Sequence, residues 1–299
     1  MTAAVRALAL PAGRPAKAAV LILATLGASL LLVVALTRWG IPSDEYAYWL
    51  AAKRLVAGLP LYDPSAAPGT PYAYFYPPPV AQVLAPFTAF VPDAVFVAAW
   101  TVLLLACLWW LGGGNAFLAL ALVAFVPVSI ELWYRNVHLL LAVLIVLGLR
   151  RHPAFFAVAA AIKVTPVLGL AYLVARGRYR DALIAGLLGF MMLLVSLLIS
   201  PEAWQQFADV IGASAGTVGA SFVPVSFPVR AATGLVLALA AGRLRPRLGE
   251  PVLVVAIVIA NPTLWVTALS MLVAVVPLLR WPASAVRGST PALRADAST

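Results

Sequence analysis

Apolar stretches follow one another along this chain with so little polar sequence between them that no water-soluble core can be assembled from the remainder. They occupy residues 18–36, 80–90, 94–111, 117–130, 139–149, 153–174, 183–199, 229–241, 252–260 and 264–279. A helix that crosses a bilayer needs about 20 apolar residues, and several of these runs fall short of that. Short or broken helices survive at membrane depth only where their loose backbone groups face protein or a water-filled cavity. The pattern therefore predicts an all-α, polytopic transmembrane bundle of about nine or ten membrane segments, some short or re-entrant, around a polar interior. Composition agrees, with 64% hydrophobic and 10% charged residues, where soluble domains carry about half and a quarter. The expected division is a cytoplasmic tail over 1–17, one integral membrane domain over 18–280, and a polar cytoplasmic tail over 281–299.

The net charge of +10 is dispersed in small groups beside apolar runs: Arg150 with Arg151, Arg176 with Arg178 and Arg180, and Arg243 with Arg245 and Arg247. Such groups mark cytoplasmic loops, so no nucleic-acid partner is expected. The run 18–36 is long enough to span and is taken as a retained first helix rather than a signal peptide. That orientation puts the loops 43–79 and 200–228 on the extracytoplasmic side of an inner, plasma membrane. The stretch 153–174 has arginines at both ends and Lys163 and Pro166 inside, which favours a broken-helix hairpin with Lys163 near its tip. A single crossing with a buried lysine is the competitor. The lone cysteine, Cys107, lies in an apolar run and reads as a small buried hydrophobe. There is no HExxH, no paired-cysteine set and no phosphate-loop Lys-Ser/Thr after Gly112–Gly114, so neither a metal nor a nucleotide cofactor is expected.

Chemistry concentrates in the first extracytoplasmic loop, where Asp44 and Glu45 stand side by side in a chain with only 10 acidic residues. Neighbours on a helix do not share a face, so one of the two at most points into a given site. The functional reading is a general base, which needs a carboxylate in reach of a hydroxyl; the plain one is a solvated acid or helix cap. Lys163 is an ionisable group inside an apolar segment, which marks a functional site by default. Its obvious partner is an anion, although a lysine can also reach to the interface. Arg135, Asn136 and His138 follow Trp133 and Tyr134 at an outer helix end, suited to phosphate or sugar hydroxyls or to interfacial anchoring. Tyr46, Tyr48, Trp49, Tyr72, Tyr74, Phe75 and Tyr76 supply aromatic faces of the kind that sugars lie against.

These blocks resemble glycosyltransferase family 87, the polyprenyl-phosphate-mannose-dependent mannosyltransferases of the GT-C superfamily. The matching positions are Asp44, Tyr48, Ala51, Gly58, Leu61–Tyr62, then Tyr74–Phe75–Tyr76–Pro77–Pro78, and later Ile162–Lys163–Val164–Thr165–Pro166. Late in the chain, Pro262 and Trp265 are kept, while Val266–Thr267 stand where such members carry a histidine. The resemblance implies an inverting transfer of a hexose, mannose above all, from a polyprenyl-phosphate carrier to an extracytoplasmic lipid-linked or glycan acceptor. It makes Asp44 the catalytic base; the leaving lipid phosphate then needs positive charge, for which Lys163 is the first candidate and Arg135 a weaker second. Glu45, Tyr48, Tyr76 and His138 are the further substrate-binding candidates. No cofactor is implied beyond the lipid-borne donor. A polyprenyl-lipid transporter or flippase, or a non-catalytic membrane scaffold, are the alternatives.

Overall fold

A computed structural model describes residues 44–63, 73–215 and 221–280. The expected first span at 18–36, both terminal tails and Tyr72 lie outside these residues. The structure is 79% helical, with no strand among the described residues, which bears out the all-α class.

The first described helix, α1 (Asp44–Val56), ends at Gly58, whose φ of +66° is open to glycine but strained for other residues. Helix α2 (Pro78–Leu84) runs into a 3₁₀ turn over Ala85–Ala89, so this apolar run is a short element, as expected. Helix α3 (Asp93–Leu111) follows, and the glycine turn after it holds Gly113 and Gly114 at positive φ. Asn115 then caps α4 (Ala116–Val123) by accepting from the Leu118 N–H at 3.0 Å.

The run 117–130 reads as one straight crossing, but the structure breaks it. Helices α4 and α5 (Val126–Tyr134) meet at 88°. Pro127, in the first turn of α5, has no N–H to continue a ladder from α4 and is the local signal for that break. Helix α6 (His138–Arg150) then returns through the centre of the bundle.

Helix α7 (Ala154–Ile162) stops at Lys163, which is extended (φ −150°, ψ 129°), and the chain resumes as a 3₁₀ turn at Thr165–Val167 and helix α8 (Leu168–Ala175). The pair is a hairpin. A Cβ built on Gly169 would stand 2.3 Å from the Phe156 ring, whereas a straight helix would set those residues about 20 Å apart. Helix α9 (Tyr179–Ile199) leads to α10 (Pro201–Ala215), and α11 (Phe227–Arg243) to α12 (Pro246–Ile259). A 3₁₀ run, Val266–Ala274, and α13 (Val275–Arg280) complete the described chain.

By length and apolarity, two of these helices can cross a membrane, α3 and α9, or three if the bent α4–α5 pair is one span. Small residues bring the inner helices together. A Cβ at Gly234 would lie 2.8 Å from the Ala256 carbonyl oxygen, and one at Gly242 would lie 2.7 Å from that of Tyr172. Helix α11 thus packs backbone to backbone on α12 and α8, as helices in lipid do when apolar burial alone cannot drive them together.

The two ends of the bundle differ. At one, Arg150 pairs with Glu250 at 2.5 Å, and Arg176 donates to the Leu244 carbonyl at 2.7 Å. At the other, the ends of α1, α5 and α6 meet the α7–α8 hairpin tip. That second end carries Asp44, Glu131, Asn136, His138 and Lys163.

Candidate functional site

Helix α1 lies across this polar end and is held on two sides. Tyr46, Trp49 and Lys53, at spacings of three and four, all reach Asp93 at the start of α3, at 3.2, 2.7 and 2.5 Å. Trp49 is fully buried and stacks on Phe96 at 4.5 Å. The Lys53–Asp93 pair is about two-fifths exposed on each side and contributes less than about 1 kcal/mol by itself. The indole N–H matters more, because a buried donor without a partner is costly. Asp93→Ala is therefore expected to cost about 1–3 kcal/mol and to speed amide hydrogen exchange along α1, with Asp93→Asn milder. Equal exchange in wild type and Asp93→Ala would show that α1 is held some other way.

On its other side, α1 presents Asp44 and Tyr48 to the turn between α5 and α6. The chain makes that turn through Arg135, which is left-handed at φ 50°. Its carbonyl accepts from the Trp100 indole at 2.8 Å. The next residue, Asn136, is the hub. Its Nδ2 donates to Asp44 Oδ2 at 2.6 Å. Its Oδ1 accepts from Tyr76 OH at 2.8 Å, Tyr48 OH at 3.2 Å and the Val137 N–H at 2.7 Å. Donors on one side and an acceptor on the other settle which way the amide points. Tyr48 and Tyr76 meet edge to face, with centroids 4.8 Å apart. Tyr62 and Tyr74 brace the aromatic loop by donating to the carbonyls of Tyr76 and Pro77 at 2.7 and 2.9 Å.

Asp44 and Glu45 diverge, as adjacent helical residues should. Glu45 is fully buried and pairs with Arg135 Nε at 2.7 Å. Asp44 stays partly open to solvent. Burial pushes the Asp44 carboxyl up to about 7. The Asn136 hydrogen bond opposes that rise, the nearby Glu131 and Glu45 charges add to it, and Lys163 works against it. A carboxyl that titrates near neutrality can lose and regain a proton under working conditions.

Lys163 sits at the hairpin tip, where the α7 backbone has ended, and is buried. Its Nζ is 2.9 Å from His138 Nε2 and 5.8 Å from the centre of the Tyr76 ring. His138 Nδ1 is in turn 2.9 Å from Glu131 Oε2. Glu131 Oε1 also accepts from the backbone N–H of His138 at 2.5 Å, so this carboxylate caps the start of α6.

The residues expected from sequence are thus brought together. Asp44, Asn136, Tyr76 and Lys163 form one continuous polar patch, with Tyr48 and His138 inside it. Arg135 and Glu45 form a pair at its edge. Sequence reasoning assigned no role to Glu131 and only a loose one to Asn136. Glu131 stands just past the apolar run 117–130, where an acidic residue reads as a polar helix end. Among the described residues, no group of histidine, cysteine and acidic side chains could hold a metal ion.

The family model described as glycosyltransferase family 87 matches residues 74–298. The match takes in Tyr76, Glu131, Arg135, Asn136, His138 and Lys163 and begins after α1, which carries Asp44. No curated protein and no solved structure matches the chain.

Proposed function

The chain belongs to glycosyltransferase family 87, a membrane glycosyltransferase by that membership, and from there we propose that it transfers a hexose, mannose first, from a polyprenyl phosphate to a lipid-linked or glycan acceptor with inversion. The observation that supports this most is the patch itself. A carboxylate that titrates near neutrality and a buried ammonium flank the same pair of residues, Asn136 and Tyr76.

Asp44 takes the proton of the acceptor hydroxyl. The hydroxyl oxygen bonds to the anomeric carbon as the bond from that carbon to the phosphate oxygen breaks. The bonding pair leaves with the lipid phosphate, which is already a good anion, so a second carboxylic acid is not needed as it is in glycosidases. Lys163 receives the charge that develops on the leaving oxygen. Asn136 holds Asp44 at the proper angle, Tyr48 and Tyr76 hold Asn136, and Glu45 fixes Arg135 beside the donor rather than touching substrate. The activated donor makes a cofactor unnecessary in this scheme.

The arginine groups lie at the opposite end of the bundle, which by the positive-inside rule supports an extracytoplasmic site at an inner membrane. In this reading the shorter apolar helices complete a GT-C bundle of about nine or ten membrane segments.

The test is transfer from a labelled polyprenyl-phosphate hexose in proteoliposomes, with product analysis. Lys163→Ala is expected to raise the donor KM at least about tenfold, as losing one charge-assisted hydrogen bond does. An unchanged donor KM would remove Lys163 from the phosphate site. Carrier that changes leaflet with no glycosidic product would make the protein a lipid transporter instead.

A further inference from the structure

We propose that Glu131 is a positioning residue: it locks His138 in the tautomer whose bare Nε2 holds the Lys163 ammonium in place for the lipid phosphate. The proposal rests on the donor-phosphate role given to Lys163 above.

The three side chains come from three separate elements and are all buried: Glu131 from α5, His138 from the first turn of α6, and Lys163 from the hairpin tip. With Lys163 charged, their hydrogen bonds admit one arrangement. An ammonium has only donors, so His138 Nε2, 2.9 Å from Lys163 Nζ, must accept. A neutral imidazole with a bare Nε2 carries its proton on Nδ1, and Nδ1 is 2.9 Å from a carboxylate oxygen that can take it. A doubly protonated ring would set an N–H against the ammonium and leave that contact without an acceptor.

Glu131 has little freedom to do otherwise. Its Oε1 is held by the His138 N–H at 2.5 Å and the Leu139 N–H at 3.4 Å, which points Oε2 at the ring. The consequence falls on Lys163. A lysine has a long flexible stem and tends to extend towards water. Anchoring one of its three protons on His138 leaves two for an incoming anion. The ammonium is thus ordered before the donor arrives, and donor binding is spared that ordering cost.

The chain has two histidines, His138 and His152, so a His152→Gln background with ¹⁵N-labelled histidine reports on His138 alone. In lipid nanodiscs the expected spectrum is a single tautomer with Nδ1 protonated, and its Nε2 resonance moves when a long-chain polyprenyl phosphate is added. Glu131→Gln should lose that single tautomer and weaken polyprenyl-phosphate binding about tenfold, as outer-shell partners do at metal sites. His138→Phe should weaken binding to a similar degree, and Glu131→Gln should add nothing on top of it, because the two act as one unit.

Additive losses would overturn the proposal, since a residue that merely caps α6 would act independently of the ring. A wild-type spectrum with Nε2 protonated would overturn it even if Glu131→Gln failed to fold. If Lys163→Ala abolishes binding while Glu131→Gln and His138→Phe leave it intact, this proposal falls and the function above stands. If Lys163→Ala binds polyprenyl phosphate normally, the phosphate role of Lys163 falls and takes this proposal with it.

Discussion

Asp44→Asn is expected to lower the rate of sugar transfer by about 10²–10⁴-fold, the usual contribution of a positioned general base, in a protein that still folds. The substitution keeps size and shape. The new amide can offer its oxygen to Asn136 Nδ2, which donates to Asp44 Oδ2 at 2.6 Å in the wild type, so thermal stability should barely change. What it removes is the lone pair that accepts the acceptor proton. The pH profile gives an independent check. Burial pushes Asp44 up to about 7, and only the ionised form acts as a base. Below that value, kcat/KM should fall by about one decade per pH unit, and above it the profile should level off. The Lys163 charge acts to lower the Asp44 value, so Lys163→Ala should move the midpoint to higher pH. Transfer by Asp44→Asn at the wild-type rate would place the base elsewhere.

The apolar architecture was legible because lipid imposes a local rule: a segment either has enough apolar length or it does not. The ends of α3, α6 and α9 lie within a few residues of the runs expected for them. The break at Lys163 was legible for the same reason, since a charge followed by a proline is hard to keep within a continuous apolar helix. The bend between α4 and α5 is hidden in the sequence because apolar residues run on through it, with Pro127 the one local sign of a break. What could not be read was which polar groups meet. Asn136 joins Asp44 across 92 positions of sequence, and Asp93 gathers three side chains of α1 from at least 40 positions away. Such meetings are set by how helices cross, and periodicity within one helix carries no information about them. Glu131 is the instructive case. It stands at the end of the apolar run 117–130, and without its partner it reads as one more polar residue at a helix end.

Glu250→Gln is expected to destabilise the protein by about 3–5 kcal/mol, the range for removing one partner of a buried ion pair. The Arg150–Glu250 contact is 2.5 Å, and both side chains are nearly inaccessible, at 5% and 6%. Arg150 also donates to the Leu278 carbonyl at 2.9 Å, so one guanidinium ties the end of α6 to α12 and α13. With Glu250 neutral, the cation is left buried on one carbonyl and one amide oxygen, which do not replace the charge lost. The pair itself need not be a large net gain. Its two charges gave up water to meet, and Arg150 Nε and Glu250 Oε2 have no hydrogen-bond partner among the described residues. Arg150→Met combined with Glu250→Leu should therefore recover most of the stability that either single change loses. Thermal unfolding in detergent, followed by the tryptophan signal, measures all four corners of that cycle. Single and double variants that lose stability in simple proportion would show that the two residues do not act as a pair. Because the patch lies at the far end of α6, from His138, the donor KM of whatever fraction stays folded should remain near wild type. A donor KM that rose together with the loss of stability would mean that α6 transmits strain along its whole length to the site.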